Sequence, residues 1–463
     1  MKATMEQSRN FLGTEKIGKL IFKFAIPSIV ILLVSALYNI VDQIFIGQGV
    51  GILGNAATNV AFPITTISTS IALLLGIGGA SNYNLNLGAG RKEKAAYIAG
   101  NSFSSMLIGG TILTGIVIIF LKPLILVFGA SGEVLSLALT YTSITSFGIP
   151  FFIFSTGASH LIRADGSPKY SMLCVLFGAV LNTILDPLFI FVFDMGIAGA
   201  AWATVIGQIA SSVLAFRYIL NFKSVKLSKE NFIPRIRYIK SIAALGVSAC
   251  FNQLAMTLVQ ITMNNTLTYY GALSKYGSEI PLACVGVISK VNIVFMAFIM
   301  GVGHGCQPIA SFNYGAKNYS RVKKTYISSV IIASIIATIG FIVFQVFPKQ
   351  IISIFGGGSK EYFEFAIEYF RIYMIMTFIN GIQPVTSTLF TAIGKAKKGI
   401  ILSSTRQILF LIPLLLIFPL FFGIDGIMYA GPISDIIAAT LAATLMYFEI
   451  RRMNKEIKLK ADV

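Results

Sequence analysis

Long apolar runs are the feature of this sequence that most constrains its fold. Twelve runs have about 20 residues or more, enough to cross the ~30 Å hydrocarbon core of a bilayer as helices rising ~1.5 Å per residue. Only 12% of the residues are charged and 56% are hydrophobic. The sequence therefore predicts an all-α, polytopic membrane protein with spans at about 20 to 46, 53 to 86, 96 to 121, 137 to 162, 168 to 193, 197 to 220, 239 to 270, 281 to 312, 325 to 347, 364 to 392, 399 to 421 and 426 to 450.

The placement of the basic residues predicts the topology of these helices. The net charge is +18, and 29 of the 36 Lys and Arg residues fall in the two terminal segments and in every second loop. Cytoplasmic loops of membrane proteins accumulate Lys and Arg, so this pattern favours topology over nucleic-acid binding. We expect both termini in the cytoplasm and the chain in the cytoplasmic membrane of a prokaryote.

An internal duplication divides the chain into halves. The motif at residues 76–89 recurs at 303–316, and Gly196-Ile-Ala-Gly199 recurs as Gly423-Ile-Asp-Gly426, both at an offset of 227 residues. Two bundles of six helices follow, inserted in the same orientation because each half has an even number of spans. We predict an N-lobe at 1–220, a cytoplasmic linker at 221–238 and a C-lobe at 239–463.

Two acids within the predicted spans are candidates for an ion site, because a carboxylate at membrane depth is costly and usually functional. Asp42 and Asp186 lie at matching depths in helices 1 and 5, and Asn182 shares the helix face of Asp186. Thr204 of helix 6 reaches the same level. These oxygen atoms suit Na⁺, or the two carboxylates could hold a proton. A purely structural pairing with polar neighbours is the alternative.

The C-lobe carries its own ionisable residues within spans. Asp435 in helix 12 is either a second protonation site or a structural hydrogen-bonding group. Lys290 and Arg406 either neutralise Asp435, line a cavity or form internal pairs. Together the three residues form a candidate secondary polar site.

Paired repeats place helices 1 and 7 in equivalent central positions, where a substrate cavity between the lobes is expected. The predicted lining residues are Tyr38 and Asn39 of helix 1 and Asn252, Gln253 and Met256 of helix 7. Packing or lipid contact is the alternative for each.

The sequence resembles the multidrug and toxic compound extrusion (MATE) transporters, in the branch with staphylococcal-type export proteins. The similarity covers essentially the whole chain. It depends on a set of polar and glycine motifs within and just after the spans, at residues 39–42, 86–89, 181–189, 199–204 and 313–316.

The resemblance implies a V-shaped pair of bundles that exports drugs, mainly amphipathic cations, in exchange for inward Na⁺ or H⁺. It also implies an N-lobe cation site at Asp42, Asn182, Asp186 and Thr204, and a hinge at Pro27. Helix 7 has Gln253 and Gln260 where one branch has acids, which puts a C-lobe ion site in doubt. We expect a functional monomer whose partners are drug-like substrates and the bilayer, with no cofactor besides the coupling ion.

Two other functions compete with drug export. A lipid-linked saccharide flippase shares the two-lobed architecture but usually adds helices and a basic cavity. An intramembrane enzyme is disfavoured because the chain lacks an HExxH or GxSxG motif and has only two, widely separated histidines.

Overall fold

The computed structural model describes residues 11–356 and 358–461, apart from the side chains of 460 and 461, and every regular element in them is helical. Within these described residues, eleven helices are long and apolar enough to cross a membrane. We number the helices α1 Ile17–Gly49, α2 Ile52–Gly88, α3 Lys92–Ile119, α4 Gly132–Ala164, α5 Pro168–Pro187, α6 Gly196–Ile219, α7 Ile236–Ala272, α8 Glu279–Gly315, α9 Tyr319–Val346, α10 Lys360–Tyr373 with Ile382–Ala392, α11 Ala396–Ser404 with Ile412–Phe422, and α12 Asp425–Ala461. The predicted all-α polytopic fold is confirmed.

The tenth predicted span, 364 to 392, corresponds to α10, which the structure breaks between Tyr373 and Ile382. Pro384 explains part of this break, because a proline ring clashes with the carbonyl four residues earlier and cannot donate to it. A close backbone contact adds to it, since a Cβ at Gly381 would lie 2.8 Å from the Ala333 carbonyl carbon. Neither half of α10 is therefore long enough to span a membrane alone.

Two spans contain a stretch of π-helix. One follows α5 at Leu188–Val192, and the other joins the two parts of α11 at Thr405–Leu411. A π-helical turn carries one more residue than an α-helical turn, so it changes the direction of the side chains around it and is frequent at functional sites. The first stretch comes directly after Asp186, and the second contains Arg406.

The chain folds into two compact units. The first contains Val30–Cys250 with the described residues up to Leu12, and the second contains Gly13–Ile29 and the chain from Phe251 onward. Helix α1 therefore begins in the second unit and continues in the first, whereas α7 begins in the first and continues in the second. The N-terminal residues 1–10, with Lys2 and Arg9 of the charge pattern, lie outside the described residues.

Small residues allow close helix packing within each unit, which is how membrane helices associate without a hydrophobic driving force. In the first unit a Cβ at Gly246 would lie only 1.7 Å from the Leu74 carbonyl oxygen. In the second unit a Cβ at Gly305 would lie 2.6 Å from the Ala25 backbone nitrogen. The N-terminal part of α7 therefore packs against α2, and the N-terminal part of α1 packs against α8.

The predicted linker, 221–238, is tied to the first unit by two buried polar side chains. Asn101 donates to the carbonyl of Asn231 at 2.9 Å and accepts from the backbone nitrogen of Arg235 at 2.7 Å. Asp165 accepts hydrogen bonds from two backbone nitrogens and two tyrosine hydroxyls, those of Lys223, Ser224, Tyr83 and Tyr218. The linker is thus an ordered part of this unit.

Candidate functional site

The four residues predicted to form a cation site meet in the first unit. Asn182 donates from Nδ2 toward Asp186 Oδ1 at 3.3 Å and toward Thr204 Oγ1 at 3.4 Å. The side chain of Asp42 lies within hydrogen-bonding reach of Asp186. All four residues are buried, and Asp186 completely so. We call these four residues the oxygen cluster.

Local sequence explains how α5 and α6 assemble this cluster. Asn182 and Asp186 are four residues apart, so they project from one face of α5. Glycines on both helices bring the backbones together, since a Cβ at Gly207 would lie 2.8 Å from the carbonyl oxygen of Gly178. Thr204 is three residues before Gly207 and is thereby held against Asn182.

Three oxygen atoms of the cluster are buried and accept no hydrogen bond from any described residue: Asp42 Oδ1, Asn182 Oδ1 and Asp186 Oδ2. A buried acceptor without a partner costs about 1 to 3 kcal/mol, and more if it is charged. Three such atoms in one cluster are the kind of acceptors that a bound cation or a proton would satisfy. Carboxylate, amide and hydroxyl oxygens are hard ligands suited to Na⁺, and neighbouring carboxylates can instead share a proton.

Two tyrosines border the oxygen cluster. The hydroxyls of Tyr38 on α1 and Tyr141 on α4 both lie near Thr204 and near the carboxylates of Asp42 and Asp186. Tyr38 is one of the predicted substrate contacts, and the structure places it beside the cation-site residues. Tyr141 was missed, because its depth in helix 4 was the only sequence signal and many other residues share that depth.

The other predicted substrate contacts fall into two sets. Asn39 belongs to the first unit, is exposed and donates to the carbonyl of Ser35 at 2.6 Å. Asn252, Gln253 and Met256 belong to the second unit, where Asn252 Nδ2 lies 3.9 Å from the sulfur of Met256. Gln253 is half-buried and Met256 is 47% exposed. Their side chains are thus accessible, as substrate contacts must be.

Pro27 lies inside the unbroken helix α1, two residues before its passage from the second unit to the first after Ile29. Proline lacks an N–H and cannot donate to the carbonyl four residues earlier, which weakens the helix locally. The predicted hinge therefore coincides with the boundary between the units along α1.

In the second unit, two of the three predicted polar residues are paired. Arg406 Nε donates to Asp435 Oδ1 at 2.7 Å, and Asp435 is buried. Lys290 is exposed and forms no ion pair with any residue that the structure describes. The structure therefore joins Arg406 with Asp435 and leaves Lys290 apart.

One buried acid escaped sequence reasoning. Glu449 of α12, 1% exposed, forms ion pairs with Lys395, Lys398 and Arg452. Burial lowers the pKa of Lys395, and its contact with the Glu449 carboxylate opposes that shift. The spacing of Glu449 and Arg452 on one helix face was a signal, but the two lysines come from a distant loop.

Comparison with known proteins places this architecture in a family. A family model described as MatE matches residues 27–188 and 248–417, one segment in each half of the chain. The multidrug export protein MepA of Staphylococcus aureus (strain MSSA476) is 25% identical over 432 residues, or 93% of both chains. MepA of Staphylococcus saprophyticus is 26% identical over 433 residues, or 92% of both chains.

A solved structure shows the same fold. The crystal structure of MATE in complex with MaL6 aligns with a TM-score of 0.90 at 24% identity, covering 96% of this chain and 99% of that chain. The family resemblance inferred from sequence motifs is confirmed. The chain therefore belongs to the MatE family of membrane transporters and is not an enzyme.

Proposed function

We propose that this protein is a secondary active multidrug exporter of a prokaryotic cytoplasmic membrane, which exchanges amphipathic, mainly cationic compounds for inward Na⁺ or H⁺. Membership in the MatE family and similarity to multidrug export proteins support export. The observation that carries the coupling mechanism is the oxygen cluster, with three buried oxygens that lack a partner.

In this proposal the inward-moving cation binds Asp42, Asn182, Asp186 and Thr204. Cation binding satisfies the open acceptors and screens the repulsion between the two carboxylates. Because Asp42 and Pro27 lie on the same helix, the loaded and empty clusters favour different bends of α1. The cation can shift the conformational equilibrium only by the difference of its affinity for the two states.

The substrate contacts in this proposal are Tyr38, Asn39, Asn252, Gln253 and Met256. Aromatic faces attract cations, and a flexible thioether adapts to ligands of different shape. Amides add hydrogen bonds without a fixed charge. Such a set suits several amphipathic cations better than one specific ligand.

We also propose that the two halves, 1–220 and 239–463, act as lobes joined by 221–238 in a functional monomer with cytoplasmic termini. Cysteine labelling of Ser131, at the start of α4, tests the topology. An external, membrane-impermeant reagent should label it in intact cells. Labelling from the cytoplasmic side alone would contradict this topology. Gly357, the other predicted external position, lies outside the described residues.

The decisive experiment is transport by purified protein in proteoliposomes with an imposed Na⁺ or H⁺ gradient and ethidium as substrate. Ethidium movement that follows one gradient and stops when that gradient is collapsed identifies the coupling ion. Protein-free vesicles and the Asp42→Asn variant serve as controls. Equal ethidium movement with and without both gradients would refute secondary active coupling.

A further inference from the structure

A second polar site lies in the second unit, at Arg406 and Asp435. Arg406 is about ten residues into α11 and Asp435 about ten residues into α12, or about 15 Å from the nearest helix end in each case. Both residues therefore sit near the middle of a ~30 Å hydrocarbon layer. A charged pair at this depth is costly and marks a candidate functional site.

Most N–H donors of the Arg406 guanidinium have no acceptor among the described residues. A guanidinium carries five N–H donors, and in this structure only Nε is used, in the 2.7 Å bond to Asp435. Neither terminal nitrogen bonds any other described residue, and the side chain is 22% exposed. A structural ion pair in an apolar interior is stable only if its remaining donors are satisfied. The terminal nitrogens of Arg406 are instead free to bind a ligand.

Local helix geometry and neighbouring side chains determine the orientation of Arg406. Arg406 lies in the π-helical stretch Thr405–Leu411, which changes the direction of its side chain relative to a regular helix. The hydroxyl on the ring of Tyr373 lies near enough to Arg406 and Asp435 to interact electrostatically with both charges. Gly431 of α12 leaves room for that ring, since a Cβ there would lie 2.6 Å from it. A guanidinium oriented through Nε, with its terminal nitrogens unused, suits a ligand that bears an oxyanion.

The internal duplication shows that this site is particular to one unit. At the offset of 227 residues, Asp435 corresponds to Gln208 and Arg406 to Ala179. The first unit thus has no cation at the equivalent place and carries its acids at Asp42 and Asp186. The first unit therefore carries acids without a described basic partner at membrane depth, whereas the second carries a guanidinium paired with an acid.

We propose that Arg406, oriented by Asp435 through Nε, binds the carboxylate of an amphipathic ligand with its terminal nitrogens. This proposal rests on the exporter function proposed above and adds a specific anion-binding residue to it. A ligand with both a carboxylate and a cationic group would bind here through its carboxylate. A purely cationic ligand would not depend on Arg406.

Rhodamine 110, which has a free carboxylate, and its methyl ester rhodamine 123 form a matched pair of probes. Binding of each dye to the purified full-length protein is measured by fluorescence anisotropy. We expect Arg406→Gln to weaken rhodamine 110 binding by at least about tenfold and to leave rhodamine 123 binding unchanged. Arg406→Lys should fall between, because an ammonium keeps the charge but not the planar fork.

Removal of Arg406 alone leaves the buried charge of Asp435 unpaired, which destabilises the protein. The double variant Arg406→Gln/Asp435→Asn therefore removes both charges together. This variant should also lose the preference for rhodamine 110, which has the free carboxylate, over rhodamine 123. An unchanged preference in the folded double variant would overturn the proposal, as would an equal loss for both dyes. Competition by phosphatidylglycerol but not by phosphatidylcholine would assign Arg406 to a net anionic lipid headgroup and would also overturn it.

Transport distinguishes this proposal from the exporter function on which it rests. If the wild type moves rhodamine 123 with a cation gradient and the Arg406 variants treat both dyes alike, only the anion site is wrong. If the wild type moves no dye and no ethidium under any gradient, both proposals are wrong.

Discussion

The two units use buried charge in opposite ways. In the first unit, Asp42 and Asp186 face each other with no described basic partner, and eleven of the thirteen buried polar atoms that lack a hydrogen bond in the described chain lie in that unit. In the second unit, Asp435 is paired with Arg406, and Glu449 with three cations. The two units thus differ, with open acceptors in the first and compensated charges in the second.

This difference separates function from stability. A carboxylate that is already paired with a basic residue has little capacity to bind a transported ion. A buried carboxylate without a partner can bind an ion, but its burial lowers the stability of the fold. The position equivalent to Asp186 in the second half is Pro413, so the bundle folds without an acid there. We therefore expect substitutions of acids in the two units to have opposite consequences.

The largest expected effect is loss of coupled transport in the first unit. Asp42→Asn and Asp186→Asn should each reduce gradient-driven ethidium efflux by more than about 100-fold, because each removes a charge that we propose to bind the coupling ion. Their thermal stability should be unchanged or higher, since a neutral amide is cheaper to bury. Proteoliposome transport and a melting curve measure the two quantities.

Asp425→Asn is the matched control for these variants, because Asp425 is an exposed acid at the start of α12. It should transport like the wild type. A folded Asp42→Asn/Asp186→Asn double variant that still pumped drug against its gradient would refute the coupling site.

The next largest effect is expected in the second unit, where removal of an acid should lower stability and leave transport intact. Glu449→Gln should destabilise the protein by about 3 kcal/mol, because it leaves Lys395 and Lys398 without the buried carboxylate that they bind. Transport per folded molecule should persist, since the ion pairs are structural. Thermal melting monitored by size-exclusion chromatography measures the loss, with exposed Glu456→Gln on the same helix as the control. Equal melting of both variants would contradict the assignment.

A smaller effect is expected from the hydroxyl of the oxygen cluster. Thr204→Ala should raise the cation concentration for half-maximal transport by about tenfold, the equivalent of one ligand worth about 1.4 kcal/mol. Thr204→Ser keeps the hydroxyl and should remain close to the wild type. Transport titrated against the coupling ion measures both variants, and identical titrations for Ala and Ser would remove Thr204 from the site.

The smallest effects are expected at the substrate contacts, where several weak interactions share the affinity. Replacing Tyr38, Asn39, Asn252, Gln253 and Met256 one at a time by Ala should change the relative resistance to different drugs by a few-fold, about 0.5 to 1 kcal/mol each. Growth inhibition by a drug panel in a sensitive host measures the profile. A variant with all five replaced and an unchanged profile would place the substrate elsewhere.

Much of the candidate site could be predicted from sequence, because the constant rise per residue of an α-helix gives the depth of each residue in the membrane. Asp42, Asn182, Asp186 and Thr204 could be placed at one level from their distances to the helix ends, and the structure brings them together. Tyr141 could not be chosen, because depth alone does not tell which face of helix 4 turns toward the acids. The pairing of Arg406 with Asp435, rather than Lys290 with Asp435, likewise depended on which helices are neighbours.

The sequence by itself determined the membrane class, the apolar spans, the duplication and the family, because hydropathy, charge and motif spacing are properties of the chain alone. Only the tertiary structure decided the close contact of Gly381 with Ala333 at the break in α10, the π-helical stretches and the partners of Glu449. It also decided that α1 and α7 each contribute to both units. These features arise from contacts between residues far apart in the chain, where packing against a neighbouring helix outweighs the local preference for a continuous α-helix.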